Sequence, residues 1–146
     1  MSFDPRQLPD AAQRFLTDRH LASLSTLRAD GSPHVVPVGF SWDGEAQLAR
    51  VITSGSSLKA RNAGRAGARA ALCQVDGRYW LTLEGPVQVL SDAESVREAE
   101  RRYATRYRPP QENPQRVVLQ IAVDRVLGSV PTDTIAPPAV RFGIAR

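Results

Sequence analysis

Apolar positions recur first at helical spacing and then at strand spacing. Leu8, Ala11, Ala12, Phe15 and Leu16 share one face of a short helix, with Pro9 and Asp10 suited to its first turn. From His20 the period drops to two. His20 to Arg28 reads as a strand, Asp30-Gly31 as a hairpin turn, and His34 to Trp42 as a second strand. Asp43-Gly44 turns the chain into a third strand over Gln47 to Thr53. Pro37 lacks an N–H and Gly39 lacks a side chain, so this part of the second strand is a barrel corner, or an edge or bulge where something flat lies against the backbone.

Beyond Thr53 the spacing predicts a helix from Ser57 to about Ala66 and a small-residue strand from Ala68 to Val75. Asp76-Gly77 is another hairpin turn, and Arg78 to Leu90 a long strand bent or bulged at Gly85-Pro86. Ser91 followed by Glu94 reads as a capping box for a charged helix from Asp92 toward Arg106. Pro109, Pro110 and Pro114 punctuate a loop, and Arg116 to Val126 alternates as the last strand. From Pro131 the pattern dissolves into Pro, Ala and Thr. The expectation is one domain over residues 1–130 and a loose tail over 131–146. Short strands, Asp-Gly turns and few helices describe a mainly β, α+β domain, a six-stranded antiparallel barrel, closed or nearly so, with short flanking helices.

Composition narrows the chemistry more than the fold. A net charge of +4 and a pI near 10 favour anionic partners. The basic residues are spread along the chain and aromatics make up only 6%, which argues against a nucleic-acid binder. No apolar run approaches a membrane span and no signal-peptide core follows Met1, so the expected location is cytoplasmic. Cys73 stands alone and reads as a small core hydrophobe. His20 and His34 lie in different strands, outside any metal-ligand spacing, and no metal site is expected. Serine-hydrolase, dinucleotide and P-loop motifs are absent, and no side chain presents itself as a catalytic acid, base or nucleophile. A bound redox cofactor needs none, because the cofactor carries the chemistry and the protein supplies position.

One stretch offers a cofactor a place. In 50–62, Arg-Val-Ile-Thr-Ser-Gly-Ser-Ser-Leu-Lys-Ala-Arg-Asn, an apolar strand runs into a small-residue turn and a helix start. Hydroxyls, unpaired N–H groups and a positive helix terminus there suit a phosphate. Lys59 is the only lysine of the chain, and with Asn62 it shares one helical face. The same residues also describe a short capped helix with Lys59 in water; spacing alone leaves both readings open.

Several longer stretches carry a resemblance. Residues 19–40 (Arg-His-Leu-Ala-Ser-Leu-Ser-Thr-Leu-Arg-Ala-Asp-Gly-Ser-Pro-His-Val-Val-Pro-Val-Gly-Phe) and the stretch 50–62 carry it most clearly. Tyr-Trp-Leu-Thr-Leu-Glu-Gly at 79–85, Arg-Tyr-Ala-Thr-Arg-Tyr-Arg-Pro at 102–109 and Asp-Arg-Val-Leu-Gly-Ser at 124–129 add to it. With the order of elements, they resemble the flavin-binding split-barrel family, the pyridoxamine-phosphate-oxidase-like proteins. Within it they resemble the actinobacterial deazaflavin branch with its coenzyme F420-dependent biliverdin reductases.

The resemblance implies a homodimer with two cofactor sites at the interface, and hydride transfer from reduced F420 to a conjugated acceptor, biliverdin giving bilirubin. It implies that Lys59 and Asn62 hold the cofactor phosphate with Thr53, Ser54 and Ser57. His34, Val35, Val36 and Pro37 would give backbone contacts to the ring. Val75, Asp76, Gly77, Arg78 and Trp80 would come from the hairpin, and Arg102, Arg106 and Arg108 would meet the acidic cofactor tail or substrate carboxylates. FMN in place of F420, a non-catalytic deazaflavin carrier, or a haem protein using His20 or His34 are the alternatives on the same fold.

Overall fold

The computed structural model of the protein describes residues 1–131. The expected tail, from residue 132 onward, lies outside them. In chain order the elements are β1 (Ser2–Phe3), α1 (Asp10–Thr17), β2 (Ala22–Leu27), β3 (Pro33–Val38), β4 (Ser41–Asp43), β5 (Leu48–Ser54), α2 (Leu58–Ala63), β6 (Arg69–Asp76), β7 (Tyr79–Leu90), α3 (Ala93–Arg106), β8 (Arg116–Ala122) and β9 (Arg125–Ser129). The class is as expected, an antiparallel sheet with short helices. The strands number nine among the described residues, not six.

Two breaks and one added strand account for the difference. The expected second strand divides at Gly39-Phe40 into β3 and β4, which pair with β2 and β5 respectively. Where a Cβ on Gly39 would stand, the rings of Tyr103 and Tyr107 both come to 3.1 Å, so α3 packs directly on the bare backbone. The expected last strand divides after Ala122 into β8 and β9, and Ser2–Phe3 adds a short strand to β9. The N-cap of α3 also moves by one residue. Asp92, not Ser91, accepts the N–H of Ser95, at 3.0 Å, and no capping box forms around Ser91.

The sheet runs β3-β2-β6-β7-β8-β5-β4. Its two outermost strands, β3 and β4, follow each other in the chain yet do not pair, so the barrel is split between them. β7 joins the two halves. Its first part lies between β6 and β9, and its second part, from Val87, pairs with β8. The change of partner falls at Gly85-Pro86, where a Cβ on Gly85 would stand 1.9 Å from the Ala122 carbonyl oxygen. Glycine is the residue that admits so close a backbone.

Alternation sorts the side chains. Leu24, Leu72, Leu81, Leu83, Val51, Leu119 and Ile121 point inward with Phe40, and α1 closes one end with Leu8, Phe15 and Leu16. Gln74, fully buried among them, donates to Phe15 O at 2.6 Å and accepts from Arg106 at 2.6 Å. Cys73 was expected in the core. Its place on β6 between inward Leu72 and Gln74 turns it to the outer face, where it is half-buried.

Candidate functional site

The split between β3 and β4 opens a cleft of about 440 Å³. One side is formed by Pro37 and Val38 of β3 and the following Gly39, with Ile52 and Thr53 of β5. Lys59 reaches it from α2, and Tyr103, Arg108 and the loop through Asn113 close the other side. Sequence distance hides this second wall, which comes from more than forty residues downstream. The signals were the i, i+4 spacing of Tyr103 and Tyr107 and the Pro-Pro-Gln-Glu-Asn run after Arg108.

The wall is built firmly. Arg116, its side chain 10% exposed, pairs with Glu100 of α3 at 2.6 Å and donates to Gln111 O at 2.7 Å. Asn113 donates to Ser54 Oγ at 2.8 Å, and the Gly55 N–H to Gln115 O at 2.9 Å. Tyr107 accepts the Phe40 N–H at 3.1 Å and donates to His20 O at 2.6 Å. Burial pushes the Tyr107 hydroxyl above its ordinary pKa, which keeps it a donor.

The phosphate residues expected from the sequence separate into two groups. Thr53 and Lys59 line the cleft. Ser57 caps α2 by accepting the Ala60 N–H at 3.2 Å and meets Thr53 Oγ1 at 3.1 Å, while Ser54 accepts from Asn113. Asn62 does not open on the cleft. It is 2% exposed, donates to Thr26 Oγ1 at 3.0 Å and accepts from Arg65 at 2.9 Å, because the helical face it occupies packs on β2. α2 has only six residues, so the cations rather than a helix dipole dominate the field here. Lys59 and Arg108 have no hydrogen-bond or ion-pair partner among the described residues, and both face the same cleft.

Strand β3 presents an open edge. The Arg28 N–H donates to Ser32 O at the hairpin end, so alternate pairs counted from there leave Pro33, Val35 and Pro37 without ladder bonds to β2. Two of the three are prolines, which have no N–H to leave unpaired. The N–H and C=O of Val35 therefore face the open edge. The side chains of His34 and Val36 turn inward, and His34 Nδ1 is buried with no hydrogen-bond partner among the described residues.

Of the three arginines expected to meet carboxylates, only Arg108 reaches this cleft. Arg106 donates to Asp18 O, Phe40 O and Gln74 Oε1 at 2.6–2.8 Å and stacks 4.5 Å over Phe40. Burial pulls its pKa below the ordinary arginine value. Arg102 pairs with Glu98 at 2.7 Å and Asp43 at 3.2 Å. Both line a smaller cleft beside Trp42.

Val75, Asp76, Gly77, Arg78 and Trp80 lie together at the β6–β7 hairpin, and none lines the Lys59 cleft within this chain. Asp76 approaches His20 Nε2 at 3.6 Å, and Arg78 lies over Tyr79. Val75 and Trp80 are cross-strand partners, both exposed.

Comparison with known proteins agrees with this architecture. The chain is 58% identical over 123 residues to an F420H(2)-dependent biliverdin reductase of Mycobacterium tuberculosis, spanning 84% of this chain and 89% of that one. Among solved structures, an F420 reductase superposes with a TM-score of 0.62 at 26% identity, covering 84% of this chain and 98% of that one. A conserved hypothetical protein from Mycobacterium tuberculosis shares the fold with a TM-score of 0.71 at 18% identity, over 91% of this chain and 95% of that one. Residues 8–129 match the family described as pyridoxamine 5'-phosphate oxidase, and the chain belongs to that family.

Proposed function

We propose that this chain is an F420-dependent reductase whose acceptor is biliverdin. The observation that carries the reading is the pair of cations, Lys59 and Arg108, that have no partner among the described residues and face one cleft at the end of an open strand edge. The donor set fits the group. A phosphate takes a point-charge ammonium and a guanidinium, with the hydroxyls of Thr53 and Ser57 beside them. The open main chain of Val35 then offers a donor and an acceptor to the rim of a flat heterocycle. The relative that is 58% identical is an F420H(2)-dependent biliverdin reductase, which supports both the cofactor and the acceptor.

Reduced F420 supplies the hydride when bound. The chain's own part is to fix the phosphate, hold the ring edge-on to β3 and keep water from the reacting face. Orientation of this kind contributes several kcal/mol when reacting atoms are held near contact. No described side chain is needed as a covalent participant.

A second copy completes the site in this reading. Leu21, Leu27, Val35, Val75 and Trp80 are exposed and project from the outer side of the β2–β3–β6–β7 layer, with half-buried Cys73 among them. Large apolar side chains exposed together on one face are what a partner covers. Pairing two such faces brings one protomer's β6–β7 hairpin, with Asp76, Gly77 and Arg78, toward its partner's cofactor.

Titration of the purified protein with F420 and with FMN, followed by fluorescence and difference absorbance, tests the cofactor. Saturable binding of F420 at one per subunit, with much weaker FMN binding, is expected. FMN retained through purification with no response to F420 would replace this reading by an FMN-dependent enzyme. Reduced F420 mixed with biliverdin should then yield bilirubin over many turnovers; tight F420 binding without turnover would make the protein a carrier.

A further inference from the structure

Two tyrosines stand one turn apart at the end of α3, Tyr103 within the helix and Tyr107 at its C-cap. Both press a ring edge on the bare backbone of Gly39, where each Cε2 would come to 3.1 Å of a Cβ. The rings also pack on each other, with centroids 4.9 Å apart and planes tilted by 37°. Their hydroxyls have different fates. Tyr107 Oη is spent within the chain, accepting the Phe40 N–H at 3.1 Å and donating to His20 O at 2.6 Å. The Tyr103 hydroxyl has no hydrogen-bond partner among the described residues, and it is not buried.

Tyr103 and Gly39 both line the Lys59 cleft. The Tyr103 hydroxyl is carried on the ring carbon next to Cε2, the atom that touches Gly39, so it stands at the cleft wall. Other polar groups of that wall are already engaged. Thr53 Oγ1 donates to Ser57 Oγ at 3.1 Å, and the Asn113 amide donates to Ser54 Oγ at 2.8 Å. Arg116 is held by Glu100 and Gln111 O. Thr53 and Tyr103 are the two hydroxyl residues of the cleft among the described residues, and Tyr103 is the one whose hydrogen is uncommitted.

Resting on the reading that this cleft holds the phosphate of F420, we propose that Tyr103 is a further phosphate ligand, its hydroxyl donating to the same group as Lys59 and Arg108. An ammonium and a guanidinium supply the charge, and an O–H adds a short, directed bond to an anionic oxygen. The seat is made in advance. Gly39 and Tyr107 fix the ring, so binding costs little beyond the rotation of the hydroxyl itself.

Fluorescence titration of the full chain with F420, and with the phosphate-free deazaflavin that carries the ring and its ribityl chain alone, tests the proposal. Tyr103→Phe keeps the ring and removes only the oxygen. It should weaken F420 binding about tenfold, as for a hydrogen bond to a charged group, and leave the phosphate-free compound within about twofold. The melting temperature of the ligand-free variant should match the wild type, because the hydroxyl bonds nothing within the described chain. Unchanged F420 affinity, or an equal loss for both ligands, would overturn the proposal. Slower turnover at unchanged F420 affinity would overturn it too, by placing the hydroxyl at the acceptor. None of these results touches the cofactor reading. A wild type that binds the phosphate-free compound as tightly as F420 would instead remove the phosphate from the cleft, and that reading of the cleft with it.

Discussion

Lys59 shows how much one side chain discloses before any fold is known. Its neighbours Thr53, Ser54 and Ser57 lie within six residues, so a phosphate site built from them is local and legible in the sequence. Removing the ammonium should weaken F420 binding by about 1.5–3 kcal/mol, the contribution of a charge-assisted contact. Arg97, exposed on α3 and away from the cleft, should lose at most about 1 kcal/mol on conversion to alanine. Equal dissociation constants for Lys59→Ala and Arg97→Ala would show that the stretch only caps a helix. Asn62 and Arg106 were less legible. A polar residue at helical spacing does not reveal which face packs on a strand, and Asn62 is turned to Thr26 while Arg106 is drawn in by the carbonyls of Asp18 and Phe40. Arg108, two residues past Arg106, reaches the cleft because the helix ends between them.

At the scale of elements, alternation located nearly every strand but not the points where strands change neighbours. His34 to Trp42 keeps its apolar character across Gly39-Phe40, and only the two tyrosines of α3 reveal the break. Asp43 was likewise read as a turn residue. It is that, accepting the N–H groups of Glu45 and Ala46 at 3.2 Å, but it also ties β4 to Arg50 of β5 and Arg102 of α3, each at 3.2 Å. Burial raises its pKa, and the hydrogen bonds from Ala46 and Arg50 with the charges of Arg102 and Arg50 outweigh that, leaving it below the ordinary value. Glu98, bonded to Arg101 and Arg102, falls from 4.5 to about 2. Both carboxylates therefore stabilise the fold fully above their ordinary pKa, and that contribution is lost as pH falls through the lowered one. We expect Asp43→Ala, which strands the largely buried Arg50, to cost about 3 kcal/mol or more at neutral pH in a urea melt. Glu98→Gln should narrow its stability gap to the wild type between pH 4.5 and about 2. A gap that stays constant over that range would mean that the Glu98 pairs contribute nothing to folding.

For the molecule as a whole, the sequence made the barrel class plain through its periodicity and turns. The split was expected from the resemblance to split barrels; where it falls, and the outer apolar face, became visible only with the strand order, because which strands lie side by side is a long-range fact. If that outer face is the dimer surface, Val35→Glu combined with Val75→Glu should give a monomer by light scattering and abolish F420 binding together with it. A double variant that remains a dimer, or a monomer that still binds F420 tightly, would exclude that face as the site's other half. The sharing of β7 has a different consequence, one for how the protein comes apart. β6 and β9 flank its first part and β8 its second, so neither half of the barrel has a complete set of hydrogen-bonded neighbours once β7 leaves. Unfolding should be a single cooperative event, with one calorimetric transition and the amides of Leu81, Leu83 and Gln88 exchanging at the same global rate. Gly85→Ala places a methyl group on the Ala122 carbonyl at the junction. It should lower that one transition by about 3 kcal/mol or more, rather than melt one half and spare the other.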